Sequence, residues 1–415
     1  MGSELRLRSP RLHRTGPGGR RATGHRRRPP GRPRHRGPRR AARAGRPPGS
    51  GTARRRRPGV GPGLLVELPG GVRPDRPDGA VIDLHAHVVL PEVLAGLDED
   101  VVHLDQGEPG VRPPSFRVGD YTLEGVDYRG TAFTDVGLRL AAMEAAGVTF
   151  QVLSPNPLTY LTDLDPSRAV DLARNLNDRV AGLVATAPDR LGGLAQLPTQ
   201  DPVAAAAELR RSVTELGLLG AAISTDPGPA LDDPALDDLW ATAVELDVPL
   251  FLHPVPDGVA GPVRDPRLAR FDGDLWLGFA YEEALAVSTI VLGGVLDRYP
   301  GLDLCVSHGG GATSWIAERL EHAVATRPWA DPALRADGAV ARRLALLWWD
   351  AHVGGPRALA ALVATVGDSR LVGGTNLAGW DEEVDPTHGD RALAATLDAN
   401  ARRLLRLDRT GRLRG

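Results

Sequence analysis

AVIDLHAHVVL, residues 80–90, joins a short apolar run to His85-Ala86-His87. Residues two apart in a strand point to the same face. The run therefore predicts a buried strand that ends by presenting two imidazoles side by side. Neutral imidazole is a common ligand for zinc and related divalent metals. Two histidines alone say little; their company gives them weight. PLFLHP (249–254) and LCVSHGGG (304–311) are also strand-like runs, ending in His253 and His308.

The chain has 415 residues, 42% of them hydrophobic, enough for a large core in one or two domains. Its formal net charge of −2 hides a split. Residues 1–57 hold twenty Arg and one Glu, a net of +19, and the remainder is net −21. Residues 1–79 are rich in Arg, Pro and Gly, with no aromatics and no apolar periodicity. Such a segment cannot bury enough surface to offset its ordering entropy, which predicts a disordered tail. A start inside the chain, with Val81 a candidate, is the alternative account of it. The division is thus 1–79 as tail and 80–415 as the folded unit. The tail lacks a signal-peptide core. Its arginine clusters lack interleaved aromatics, so no specific nucleic-acid partner is expected.

All fifty Lys+Arg residues are Arg. That excludes a Schiff-base lysine, a P-loop lysine and a carboxylated lysine bridging two metals. The lone Cys305 rules out a disulfide or a cysteine zinc site within the chain and fits a reducing cytoplasm. No stretch reads as a membrane span, so no membrane partner is expected.

From residue 80 onward, strand-like and helix-like segments alternate. Strands are expected at 81–84, 149–153, 193–197, 220–224, 249–252, 303–307, 345–349 and 370–373. Helical patterns lie between them, several opening with Asp-Pro, an N-cap followed by Pro at the first helical position: Asp165-Pro166, Asp201-Pro202 and Asp233-Pro234. Eight such alternations predict an α/β fold, a closed (β/α)8 TIM barrel. An open doubly wound sheet is disfavoured because no Gly-rich fingerprint follows the first strand. The long connections 88–133 and 252–278 leave the carboxyl ends of strands and read as lids or binding loops. In this layout His85, His87, His253, His308 and Asn376 converge on one rim, where barrels build their active sites.

Those residues also carry a resemblance. IDLHAH, RLAAMEAAGV, QVLSPNP, LAQLPTQDP, ELGLLGAAIST, LFLHP, LGGVLDRYPGLDLCVSHGGGA and LVGGTNLAGWD resemble the aminocarboxymuconate-semialdehyde decarboxylase-like branch of the amidohydrolase superfamily. The resemblance runs from residue 80 to about 405. It implies a distorted barrel of the metal-dependent hydrolase type, with one divalent metal ion, usually Zn2+ with Mn2+ as the alternative. By the same resemblance His85, His87 and His253 are metal ligands, and His308 is the catalytic histidine that handles a proton. Asn376 stands where most members have an Asp, which is both metal ligand and proton acceptor. Asn still offers a carbonyl oxygen but is neutral and no base. Asp381 is expected to supply the missing carboxylate, with Asp350 as the other candidate. An Arg of the first long loop is expected to bind a substrate carboxylate. Arg129 is nearest the matching position, with Arg112 and Arg117 as competitors. Trp315, Trp348, Trp349 and Trp380 suit the wall of an aromatic pocket, Trp380 as a substrate contact, although packing explains them equally well.

The expectation is a metal-dependent, non-oxidative decarboxylase of a small unsaturated or aromatic carboxylic acid. Hydrolysis of an amide, lactone or ester is the enzymatic alternative, because fold kinship does not decide reaction type. A non-catalytic barrel that binds a small carboxylate is the third reading, motivated by Asn376. A homodimer stays open.

Overall fold

The computed structural model describes residues 81–407 apart from 109, 260, 378–380, 383, 384, 386, 388 and 389, with 391 by its backbone only. The Arg-rich tail and Trp380 lie outside the described residues. The strands are β1 (Val81–Val88), β2 (Val102–Asp105), β3 (Ser115–Val118), β4 (Tyr121–Glu124), β5 (Val148–Pro155), β6 (Leu191–Gly193), β7 (Ala195–Gln196), β8 (Ala221–Ser224), β9 (Leu250–His253), β10 (Leu304–Val306), β11 (Trp348–Asp350) and β12 (Leu371–Val372).

β1, β5 and β6 form one parallel run, and β7 to β12 a second in sequence order. β6 and β7 are one strand interrupted at Leu194. The Leu194 N–H bonds the carbonyl of Leu153 at 2.8 Å, whereas the Ala195 N–H bonds that of Gly220 at 2.9 Å. Leu84 N–H donates to the Gly373 carbonyl at 2.9 Å, and Asp83 and Gly373 form a parallel bridge. β12 is thereby brought back beside β1. Eight parallel positions close on themselves in the order read from the sequence, a (β/α)8 barrel. Register shifts on β1 at Val81/Ile82 and between Asp83 and Ala86 supply the distortion.

The helices start where the Asp-Pro signals place them. Asp165 and Asp201 cap Pro166–Thr186 and Pro202–Thr214, and Asp233 caps the turn Pro234–Leu236 that leads into Asp237–Leu246. Each carboxylate accepts an otherwise unpaired N–H of the first turn.

Three expectations need revision. Residues 88–133 are not a bare loop, because β2, β3 and β4 form an antiparallel meander there that buries Phe116 and Val118. Its strands are four residues long and half exposed, too short for a periodic signal. The seventh barrel strand begins at Trp348 rather than 345, because the helix Ala339–Leu344 and its closing turn occupy the residues before it. Asp350 thereby becomes the last strand residue. Finally, Arg270–Leu292 is long and apolar enough to span a membrane by length and composition, with mean hydropathy 1.4. It lies in the barrel's helical layer, burying Ala286, Val287, Ile290 and Val291.

Candidate active site

β1 is buried along its whole length, so neither face of its side chains meets bulk water. His85 and His87 leave it on the same side. Their Nε2 atoms lie 3.1 Å apart, and both rings sit edge-on to His253, with centroids 5.1 and 4.9 Å away. His308 completes the group, 4.9 Å from His85 and 5.0 Å from His253. His85, His253 and His308 each offer a nitrogen within 4.8 Å of the other two.

The outer hydrogen bonds fix each ring's tautomer. His253 Nδ1 donates to the Pro254 carbonyl at 2.7 Å. Ser154 Oγ gives its one proton to the Ala86 carbonyl, so it accepts from His87 Nδ1 at 2.9 Å. His85 Nδ1 donates to Asp350 Oδ2 at 2.5 Å. All three rings are left with a lone pair on Nε2, the arrangement that supports metal-ligating histidines. Burial and neighbouring rings keep all three neutral, holding His85 and His253 well below the ordinary range and His87 at about 3.

Beneath them lies a buried polar frame. Asp83 accepts from His85 N–H, Thr375 N–H, Thr375 Oγ and Gln151 Nε2 at 2.6–3.1 Å. Burial raises Asp83 to about 6 against those bonds. Arg139 donates to Gln151 Oε1 and the His87 carbonyl, both at 2.6 Å. The frame ties β1 to the segment that carries Asn376, whose N–H donates to the His85 carbonyl at 2.8 Å.

Two site residues other than glycine have left-handed backbones, His308 (φ +45°) and Asn376 (φ +46°). Such geometry costs on the order of 1–3 kcal/mol for most residues, less for Asn, and clusters at functional sites. The glycines after His308 serve close approach. A Cβ on Gly310 would lie 2.4 Å from the Trp349 ring, and one on Gly311 2.5 Å from the Ala280 carbonyl oxygen.

His308 Nδ1 donates to Glu283 Oε1 at 2.7 Å, and Ser307 Oγ donates to the same oxygen. Burial lowers His308, but the charge and hydrogen bond of Glu283, helped by Asp350 and Asp381, outweigh it and push His308 up to about 9. Asp381 accepts from Asn376 Nδ2 at 2.6 Å and from His352 Nε2 at 3.1 Å. Burial alone would raise it, but His352 and the other histidines hold it well below the usual carboxylate range.

The structure thus brings together His85, His87, His253, His308, Asn376, Asp381 and Asp350. It does not bring in the loop arginines. Arg129 is exposed beside the buried Tyr128 and does not line the cavity, its backbone N–H taken by Asp127 at 3.1 Å. Arg112 pairs with Asp105, and Arg117 donates to the carbonyls of Glu99 and Asp100. Two of the tryptophans are also elsewhere: Trp315 is 86% exposed, and Trp348 is buried against Arg370 and Arg403. Glu283 and His352 went unread in the sequence. An acid inside the apolar helix Phe279–Leu292 was the available signal for Glu283.

Above the histidines opens a small cavity that is partly open to solvent. Tyr121, Tyr128, Phe133 and Phe279 give it aromatic walls, and His87, His253, His308 and Asn376 are its polar floor. An apolar pocket with few convergent polar groups is the usual form of a small-molecule site.

A closed (β/α)8 barrel with an imidazole-lined floor at its strand ends defines the class, and the chain belongs to the amidohydrolase family, which it matches over residues 82–407. It is similar to 2-amino-3-carboxymuconate-6-semialdehyde decarboxylase of Dictyostelium discoideum, 33% identical over 248 residues. That match covers 58% of this chain and 66% of the relative, slightly under two thirds of its length. Among solved structures it is similar to 2,6-dihydroxybenzoate decarboxylase complexed with 2,6-dihydroxybenzoate. Identity there is 25% and the TM-score 0.60, covering 79% of this chain and 99% of the other. The fold is also that of a dihydroxybenzoic acid decarboxylase from Polaromonas sp. JS666 with bound manganese and 2-nitroresorcinol. Identity is 24%, the TM-score 0.60, and coverage 80% and 98%.

Proposed function

We propose that this protein is a metal-dependent, non-oxidative decarboxylase of a small aromatic or unsaturated carboxylic acid. The observation that carries the reading is the donor set: three neutral imidazoles with Nε2 lone pairs, beside a buried Asn376 Oδ1 that has no hydrogen-bond partner among the described residues. Lone pairs this close repel unless a cation lies among them, so these residues fit a divalent ion. His85, His87, His253 and Asn376 would hold it. Zinc is the expected ion by donor type, and the manganese of the Polaromonas relative supports the alternative. When bound, the ion supplies a Lewis acid for the substrate's oxygens.

The chain's own residues do the rest. Tyr121, Tyr128, Phe133 and Phe279 suit a flat ring or conjugated chain stacked above the histidines. His308, kept protonated at neutral pH by Glu283, gives its proton to the carbon that bears the carboxylate. That carbon binds the proton with a π-electron pair of the ring or conjugated chain; the carbon–carbon bond then breaks, its electron pair restores the π system, and carbon dioxide leaves. Asp381 is the site's carboxylate. Arg129, exposed one residue from the cavity wall, is assigned to attracting the acid at the entrance, and Trp380 remains a proposed substrate contact. The reading includes a cytoplasmic location. It also includes a homodimer.

The test is carbon dioxide release by metal-loaded protein from a panel of hydroxybenzoates and muconate-like acids. Carbon dioxide and the protonated product in equal amounts are expected. Hydrolysis of amides, lactones or esters instead, or binding of the acids without turnover, would overturn the reading.

A further inference from the structure

Asn376 takes the place of an expected carboxylate, and its orientation is set from outside. The oxygen and nitrogen of an amide differ little in size, so whichever end finds a fixed partner decides which way it points. Asp381 Oδ1 lies 2.6 Å from Asn376 Nδ2. An ionised carboxylate only accepts, so the amide nitrogen must face Asp381 and the carbonyl oxygen must face away from it. That oxygen is buried without a hydrogen-bond partner among the described residues, on a side chain that lines the cavity floor with His87, His253 and His308. Asp381 is held in turn. Its Oδ2 accepts from His352 Nε2 at 3.1 Å, and the His352 N–H donates to Asp350 Oδ1 at 2.5 Å. Asp350 Oδ2 is the acceptor for His85. The hydrogen bonds therefore run from one candidate ligand, His85, through Asp350, His352 and Asp381 to another, Asn376.

We propose that His352 is a positioning residue: by fixing Asp381 it fixes the Asn376 amide with its oxygen towards the imidazoles. Asp381 supplies negative charge to this corner of the site through the amide. The inference rests on the metal reading given above.

Its test uses Co2+ as the probe in the full-length protein. His352→Ala, His352→Gln and Asp381→Asn are each made in the wild type and in Asn376→Asp, with fold checked by circular dichroism. Chelator competition gives affinity, and the visible d–d bands report the ligand set. His352→Ala and Asp381→Asn should weaken Co2+ binding about tenfold or more and shift the bands, as loss of a ligand's outer partner does. His352→Gln, whose amide still donates to Asp381, should restore most of the affinity. In Asn376→Asp, whose two oxygens are equivalent, His352→Ala should cost less than about twofold. An unchanged affinity and spectrum in His352→Ala, or an equal loss in both backgrounds, overturns the proposal. Should His352→Ala not fold, His352→Gln is compared with the shorter His352→Asn, and equal affinities overturn it. A wild type that binds no Co2+ overturns the metal reading as well. Binding that is lost in His85→Ala but indifferent to residue 352 overturns the positioning role alone.

Discussion

Glu283→Gln isolates the role of His308. Gln keeps the shape of Glu and its acceptor oxygen, so His308 Nδ1 retains a partner at the 2.7 Å position. Only the negative charge is lost. His308 stands at about 9 because that charge and bond outweigh burial. Without the charge it returns to about 6.5 or lower. At pH 8 the protonated fraction then falls from about 0.9 to about 0.03, so a step that needs the imidazolium slows about 30-fold. At pH 6.5 the same calculation gives a loss of only about twofold. The assay is the rate of carbon dioxide release from pH 6 to 9, at matched metal content. Wild-type turnover should fall as pH rises through about 9, and the variant's should already fall through about 6.5. A deficit of equal size at every pH, or none, would refute the assignment of His308 as the proton donor.

Other outcomes follow from the same geometry. His85→Ala or His87→Ala should remove most of the bound metal, read by elemental analysis, while the circular dichroism of the barrel persists. Asp381→Asn should cut turnover at least about tenfold in the carbon dioxide assay. Asn376→Asp should preserve or strengthen metal affinity, and an Asp381→Asn variant indistinguishable from wild type would move the carboxylate's role to Asp350. A chain beginning at Asp78 should keep its melting temperature and metal content, because the barrel's first strand opens at Val81. A large fall in melting temperature would show that residues 1–77 support the fold.

The barrel was legible because each of its signals is local. A buried run such as residues 81–88 announces a strand, and Asp201-Pro202 announces a helix, without reference to the rest of the chain. Four histidines and Asn376 were legible for the same reason, since each ends a strand-like run. Their partners were not. Asp350 was read as an alternative carboxylate, but its bond to His85 spans 265 positions, and Glu283 reaches His308 from an otherwise apolar helix far along the chain. Such pairs exist only once the barrel has closed. The cavity's aromatic walls were missed similarly: Tyr121 sits on a four-residue strand and Tyr128 in a loop, where no periodicity marks an inward face. The tryptophans drew attention by their rarity, and rarity carries no information about direction.

By this proposal His85, His87, His253 and Asn376 hold one divalent ion at the floor of the cavity. Anomalous diffraction from crystals of the metal-loaded protein, recorded on both sides of the metal's absorption edge, tests it most directly. A single strong peak is expected about 2.1 Å from the Nε2 atoms of the three histidines, with the Asn376 carbonyl oxygen turned towards it. A peak elsewhere on the protein, or none at the imidazoles despite stoichiometric metal in solution, would contradict it.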